Sequence, residues 1–123
     1  MILALLVDDH RATPLLARAV TELELGVVAH AVPHLSGLAA ALAAAIPDVV
    51  VTDLSLPGTR HPDDCLKAVR ALWHGPLAVL TGDASPAASS ACVRRAAARW
   101  LKPLTPKELA ESILVVARTG VSP

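Results

Sequence analysis

The sequence predicts an α/β protein in which one parallel β-sheet carries helices on both faces. Five short apolar runs alternate with five stretches of helical pattern along its 123 residues. The runs contain mainly Val, Leu, Ile and Ala, as in strands that are buried on both faces. No repeat or long linker stands out in the sequence, so we expect one domain over residues 1–123, with 119–123 as a tail or the start of a linker. Such units fit a five-stranded doubly wound fold.

The boundaries of the elements follow from turn and cap residues. The predicted strands span residues 2–7, 26–32, 48–53, 77–81 and 99–102. Three helix candidates open with a hydroxyl residue before a proline, at Thr13-Pro14, Ser85-Pro86 and Thr105-Pro106. This pairing supplies a capping oxygen and then a residue whose missing N–H is not needed. Ser36 is expected to start the second helix, and Thr105 with Glu108 fits a capping box.

Apolar spacing predicts which face of each helix packs on the sheet. In the first helix the apolar face is Leu15, Leu16, Ala19, Val20 and Leu23, and Gly26 is expected to end the helix. In the third helix the apolar face is Leu66, Val69, Leu72 and Trp73. The fourth candidate, at residues 86–97, has Val93 as its one large aliphatic residue and is expected to pack least firmly.

Composition excludes several classes of function. Eleven basic and eleven acidic residues give a formal net charge of zero, so we expect no broad attraction to nucleic acid or to anionic membranes. Two cysteines, Cys65 and Cys92, are too few for a disulfide scaffold and are typical of a reducing compartment. The opening apolar run is too short for a signal peptide, and "LAAALAAAI" is too short for a membrane span. We therefore expect a cytoplasmic domain.

Polar residues follow four of the five predicted strands. The first strand ends in Asp8-Asp9, the third in Asp53, the fourth in Thr81 and the fifth in Lys102. Ligands of doubly wound sheets bind at the carboxyl ends of the strands, so these side chains are expected to meet. Alone, each has a simpler interpretation: a carboxylate that caps the first helix, a hydroxyl at a strand end, a solvated lysine. Their joint occurrence favours a site.

The chemistry of this set suits phosphoryl transfer. Three converging carboxylates repel one another unless a cation lies among them. Ligands that are all oxygen atoms favour a hard ion, most plausibly Mg²⁺. A lysine and a hydroxyl can then bind a small tetrahedral anion. A carboxylate acceptor, a divalent ion, a lysine and a hydroxyl donor are what phosphorylation of an aspartate requires.

At this point the chain resembles a known family, the receiver domain of bacterial response regulators. The matching segments are "LLVDD" (5–9), "VVVTDLSLPG" (49–58), "VLTGD" (79–83) and "WLKPL" (100–104). They occur in family order at nearly family spacing and extend over most of the chain. The resemblance implies a flavodoxin-like fold with strand order 2-1-3-4-5 and five helices.

The resemblance also implies roles for the strand-end residues. Asp53 would accept a phosphoryl group from a sensor histidine kinase. Asp9 and Asp53, together with the backbone carbonyl of Ser55, would bind Mg²⁺, and Asp8 would reach the ion through water. Lys102 would pair with the phosphoryl oxygens.

Two further features of the family carry over to this sequence. The hydroxyl of Thr81 would close on the phosphoryl group, and the resulting shift of the fourth helix and fifth strand would control output. The Lys102-Pro103 peptide would be cis. The family's usual aromatic residue is replaced by Arg99, with Trp100 one residue later, which reverses the face of the strand on which the aromatic side chain points.

The output is suggested by two weaker similarities. His10 and the ending "ELAESILVVARTGVSP" are similar to receivers that precede a helix-turn-helix DNA-binding domain, which points to transcription regulation. The chain itself is not expected to contact nucleic acid or membrane. Arg94, Arg95 and Arg99 form a basic cluster, which is either a solvated face or a surface for a homodimer or another partner.

Other functions remain as alternatives. A receiver-like interaction or dimerisation module that works without phosphorylation is the main one. An enzyme is disfavoured, because haloacid-dehalogenase phosphatases need a carboxylate where Ser55 stands and no glycine-rich phosphate loop is present. A zinc site is disfavoured because His30 and His34 lie on either side of Pro33 and share no helix face.

Overall fold

The computed structural model of the chain describes residues 1–54, 62–82, 96 and 98–119. In chain order its elements are β1 (Ile2–Val7), α1 (Thr13–Glu22), β2 (Val27–Val32), α2 (Leu35–Ala44), β3 (Val49–Thr52), α3 (Pro62–Leu72), β4 (Leu77–Thr81), β5 (Ala98–Leu101) and α4 (Pro106–Thr119). The helix that the sequence predicts at residues 86–97 lies outside the described residues. Within the described ranges, none of the helices has the length and apolar character that crossing a membrane requires.

The strands form one parallel sheet in the order β2-β1-β3-β4-β5, which confirms the predicted topology. The register pairs Val7 of β1 with Val32 of β2 and with Thr52 of β3. It also pairs Thr81 of β4 with Leu101 of β5. Because all strands run in the same direction, the residues that follow them emerge at one edge of the sheet. That edge carries the site described below.

The strands are buried because helices cover both faces of the sheet. Along β1, Leu6 belongs to the core on one face, while Leu5 and Val7 belong to the core on the other. The first core includes residues of α1 and α4, and the second includes residues of α2 and α3. The doubly wound prediction is therefore correct. On β5, Trp100 packs against the first core and Arg99 is exposed, as the alternation of a strand requires.

The buried face of α1 agrees only in part with the predicted one: Val20 is buried and Leu16 packs against the first core, as predicted, but two of the predicted leucines are exposed. Thr13, Ala17 and Val20 are buried, whereas Leu15 is 69% exposed and Leu23 is 40% exposed. The buried residues are spaced i, i+4 and i+7, so a stripe of smaller side chains faces the sheet. The exposed leucines lie beside this stripe. Because leucine is larger and more apolar than threonine or alanine, the sequence pattern favours the leucine face as the buried one. The helix ends at Glu22, and Gly26, with φ of 91°, lies in the following turn.

Two of the predicted caps are also wrong. The α1 helix begins at Thr13 itself, and its cap residue, Ala12, makes no side-chain hydrogen bond. The α2 helix begins at Leu35, so Ser36 lies inside its first turn. Neither helix has a side-chain hydrogen bond at its N-terminal cap. We therefore attribute the first residue of each helix to packing on the sheet.

The capping box at the start of α4 is confirmed. The backbone N–H of Glu108 donates to Thr105 Oγ1 at 3.1 Å, and the N–H of Thr105 donates to Glu108 Oε1 at 3.0 Å.

Candidate functional site

Three carboxylates meet at the carboxyl edge of the sheet. Asp8 and Asp9 follow β1 and Asp53 follows β3, which is its neighbour. One oxygen from each of the three lies within 4.8 Å of the others. Oxygen ligands at this spacing fit a hard divalent cation such as Mg²⁺, so the residues present are compatible with the ion that the sequence analysis expects.

The sheet fixes the backbone of two of these aspartates. The N–H of Asp8 donates to the Val32 carbonyl at 3.1 Å, and the N–H of Asp53 donates to the Val7 carbonyl at 2.9 Å. These bonds continue the ladders one residue beyond the strands. Each aspartate is therefore rigid at its backbone while its side chain leaves the sheet.

Lys102 brings the fifth strand to the same edge. Its Nζ lies 2.7 Å from Asp8 Oδ2 and 3.6 Å from Asp53 Oδ2. The side chains of Asp8 and Asp53 are only 11% and 12% exposed, and that of Lys102 is 32% exposed. The backbone N–H of Lys102 donates to the Thr81 carbonyl at 2.8 Å, which fixes the end of β5 against that of β4. The structure thus brings together Asp8, Asp9, Asp53 and Lys102, as predicted.

The carboxylates keep the lysine charged. Burial acts to lower the pKa of Lys102, but the hydrogen bond to Asp8 and the charges of Asp53 and Asp8 outweigh it, so the pKa is raised above 10.5. With three carboxylates and one ammonium, the cluster has a formal charge of −3 + 1 = −2. A divalent cation would balance that charge.

The loop after β1 shows that Asp8 does not cap the first helix, which was the simpler interpretation of this carboxylate. Asp8 Oδ1 accepts the N–H of His10 at 3.0 Å, and its other oxygen faces Lys102. Since α1 begins at Thr13, behind Ala12 and without a side-chain cap bond, the carboxylate of Asp8 orders the loop and does not cap the helix. Asp9 is exposed at the mouth of the site.

Of the two remaining predicted site residues, Thr81 and Ser55, the structure describes only the first. Thr81, the last residue of β4, is 1% exposed at the same edge, and its backbone pairs with β5. Ser55, whose backbone carbonyl the sequence analysis expects as a metal ligand, lies outside the described residues. The Lys102-Pro103 peptide is cis, as the resemblance implied.

A contact that the sequence did not indicate lies behind Asp53. Cys65 of α3 is completely buried, and its Sγ donates to the Asp53 backbone carbonyl at 3.0 Å. Thr52 Oγ1 donates to the same carbonyl at 2.9 Å. The N–H of the following residue, Leu54, donates to Asp53 Oδ1 at 2.7 Å, which leaves Oδ2 towards Lys102. Nothing in the spacing of Cys65 along the sequence relates it to Asp53.

Several solved structures resemble this chain in backbone fold. No protein-family model matches the sequence, and neither does any curated protein. The signal receiver domain of the putative response regulator NarL from Mycobacterium tuberculosis superposes with a TM-score of 0.75 at 24% identity, over 96% of this chain and 97% of that one. The isolated REC domain of RcsB from Salmonella enterica serovar Typhimurium gives 0.75 at 24% identity, over 98% and 91%.

A third structure is similar over almost the whole chain. It is a LuxR-family two-component response regulator from Aurantimonas, with a TM-score of 0.77 and 23% identity, and it is matched over 99% of this chain and 88% of that one. Backbone similarity at these identities establishes the architecture. The chain therefore has the fold of the receiver domains of response regulators.

Proposed function

We propose that this chain is a phosphoacceptor receiver domain, in which Asp53 is phosphorylated by a sensor histidine kinase in a Mg²⁺-dependent reaction. The observation that carries the proposal is the position of Lys102 Nζ, 2.7 Å from Asp8 and 3.6 Å from Asp53, within a cluster of three carboxylates. Acid residues that only needed solvation would not be gathered on neighbouring strands around a half-buried lysine.

In this proposal each group has one role. A Mg²⁺ ion held by Asp9, Asp53 and the backbone carbonyl of Ser55, with Asp8 acting through water, supplies charge neutralisation when bound. An oxygen of Asp53 forms a bond to phosphorus while the bond between phosphorus and the kinase imidazole nitrogen breaks, and the electron pair stays on that nitrogen. Lys102 binds the transferred phosphoryl oxygens by charge.

The response to phosphorylation involves β4 and β5. We propose that the Thr81 hydroxyl then hydrogen-bonds the phosphoryl group, and that the segment at 86–97 shifts together with β5 to alter the output surface. Regulation of transcription through an attached DNA-binding domain, homodimerisation and a cytoplasmic location belong to the same proposal. The chain acts on its own aspartate and not on a separate substrate.

The direct test is the mass of the intact protein after incubation with acetyl phosphate and Mg²⁺. One phosphoryl adduct is expected, and it should be absent when EDTA replaces Mg²⁺ and in the Asp53→Ala variant. If an ordinary receiver is labelled under the same conditions and this protein is not, the phosphoacceptor proposal fails. The chain would then be an interaction module that keeps the residues of the site without their chemistry.

A further inference from the structure

A cavity of about 270 Å³ opens beside the acidic cluster. Its apolar wall includes side chains of the sheet, one of α1 and one that follows β5, among them Leu6, Val51, Leu80, Leu16 and Leu104. A cavity of roughly 150 Å³ with a comparable lining is large enough to bind benzene. The space here therefore accommodates one ring with a short substituent.

The composition of the chain explains why no side chain of the described residues fills this space. The sequence contains no Phe and no Tyr, and the side chains of the apolar wall are all aliphatic. Protein interiors are normally packed at the density of organic crystals, so a gap of this size leaves its lining atoms without contacts. A ligand with an apolar body would restore those contacts.

One end of the cavity is polar. Thr13 is only 5% exposed and lines the cavity, and within the described part of the chain its hydroxyl makes no hydrogen bond to another group. Asp8, Asp53 and Lys102 line the same end. Two carboxylates against one ammonium leave this end negative, so its charge is complementary to a cation.

We propose that this cavity binds a small cationic amphiphile, with a ring-sized apolar body against the leucines and an ammonium group at Asp8 and Asp53. Such a ligand and a divalent cation would use the same carboxylates, and they therefore compete. The regulatory consequence, suppression of phosphorylation by the amine, rests on the function proposed above, whereas the binding itself does not.

The test uses phenethylamine and its uncharged counterpart 2-phenylethanol as probes. Each is titrated into the ¹⁵N-labelled protein without Mg²⁺, and amide shifts are followed by NMR. We expect saturable shifts at Thr13, Leu16 and Leu104, an affinity at least tenfold higher for the amine than for the alcohol, and a loss of amine affinity when Mg²⁺ is added. Absence of saturable shifts, or equal binding of the two probes, overturns the proposal.

Two variants on α1 form a matched pair. Leu16→Trp places an indole in the cavity and should weaken phenethylamine binding at least tenfold, whereas Leu15→Trp, at a position 69% exposed, should leave it unchanged. If Leu16→Trp does not fold by circular dichroism, Leu104→Phe fills the cavity from the segment that follows β5. Undiminished binding to the folded filled variant overturns the proposed location.

The two proposals can fail separately. Amine binding is measured without a phosphoryl donor, and labelling by acetyl phosphate is measured without amine. Binding without labelling leaves the ligand site standing and removes the phosphoacceptor function. Labelling without binding does the reverse.

Discussion

The Cys65 thiol donates to the backbone carbonyl of Asp53 across 3.0 Å, which connects the interior of α3 to the residue proposed to carry the phosphoryl group. Thr52 Oγ1 donates to the same oxygen, and both donors are fully buried. The peptide that follows Asp53 is also tied to its own side chain, through Leu54 N–H and Oδ1. The core thus fixes the backbone at Asp53, and the following peptide holds one oxygen of its carboxylate.

Loss of the thiol donor should slow phosphorylation of Asp53. We expect Cys65→Ala to lower the rate of labelling by acetyl phosphate about three- to tenfold, since the lost hydrogen bond is worth about 1 kcal/mol. Cys65→Ser keeps a donor at this position and should recover most of the rate. Intact mass at timed intervals gives the rates, and urea unfolding shows whether both variants are folded. Equal rates for the alanine and serine variants would contradict a positioning role.

Lys102 should oppose Mg²⁺ and favour the phosphoryl group. In Lys102→Ala we expect Mg²⁺ to bind at least about threefold more tightly, because removal of a nearby positive charge is worth about 1 kcal/mol even with the full screening of bulk water. Labelling by acetyl phosphate should nevertheless fall at least tenfold. Calorimetric titration measures the first effect and intact mass the second.

The matched control for this prediction is Lys107→Ala. That lysine lies on α4, is 72% exposed and forms an i, i+4 pair with Glu111. Both its Mg²⁺ affinity and its labelling should equal those of the unmodified chain. Weaker binding of Mg²⁺ by Lys102→Ala would refute the charge argument.

The capping box of α4 should give a pH-dependent contribution to stability. The N–H and hydroxyl of Thr105 hold the pKa of Glu108 below 4.5, so the folded state favours the ionised carboxylate. The contribution is fully present above the unfolded value and is lost as the pH falls through the lower folded value. Urea unfolding of the unmodified chain and of Glu108→Gln should differ at pH 7 and converge below the folded pKa. A difference that persists unchanged at the lowest pH would contradict this assignment.

Thr105→Ala removes the other half of the same box. It should lower the unfolding free energy by about 1 kcal/mol, as is usual for the loss of an N-cap oxygen. Thr119→Ala serves as a comparison at the other end of α4, where the hydroxyl bonds the Val115 carbonyl within the last turn. A smaller loss is expected there, because a helix interior bond of this kind adds little.

Gly75 should not tolerate a side chain. A Cβ at this position would clash with Cζ2 of Trp73, and that ring is held by the bond from Nε1 to the Pro76 carbonyl at 2.9 Å. Gly75→Ala is therefore expected to cost about 1–3 kcal/mol of unfolding free energy. In contrast, Gly37→Ala lies inside α2, meets only Val32 Cγ1 at 3.6 Å, and should stabilise by up to about 1 kcal/mol. Thermal and urea unfolding of the two variants measure these changes, and a Gly75→Ala variant as stable as the unmodified chain would contradict the predicted clash.

The sheet and the meeting of the strand-end residues could be predicted because both depend on a pattern that is local in the sequence. An apolar run that ends in Asp53 or Lys102 specifies a buried strand and the edge where it emerges. Parallel pairing then brings the carboxyl ends of the strands to one edge, and the strand order that the family resemblance implied decides which of them are neighbours. The positions of Asp8, Asp53 and Lys102 follow from those two facts.

Other features depend on packing that no local pattern encodes. The choice between Leu15 and Ala17 as a buried residue of α1 is made by how closely the helix approaches the sheet, and small residues allow a closer approach. The contact of Cys65 with Asp53 likewise requires the axial position of α3 over β3. Spacing within one element cannot supply either distance.

The bond between Lys102 and Asp8 joins residues that are 94 positions apart in the chain. Closing a loop of that length costs entropy, and the two ends meet only when β3 and β4 lie between β1 and β5 in the sheet. The ammonium and the carboxylates therefore come together only in a chain whose β1, β3, β4 and β5 are paired. Any ligand of this cluster would recognise the complete domain alone and would stabilise it against unfolding. Under the proposed function, a kinase would then pass its signal only to chains whose sheet has assembled around the site.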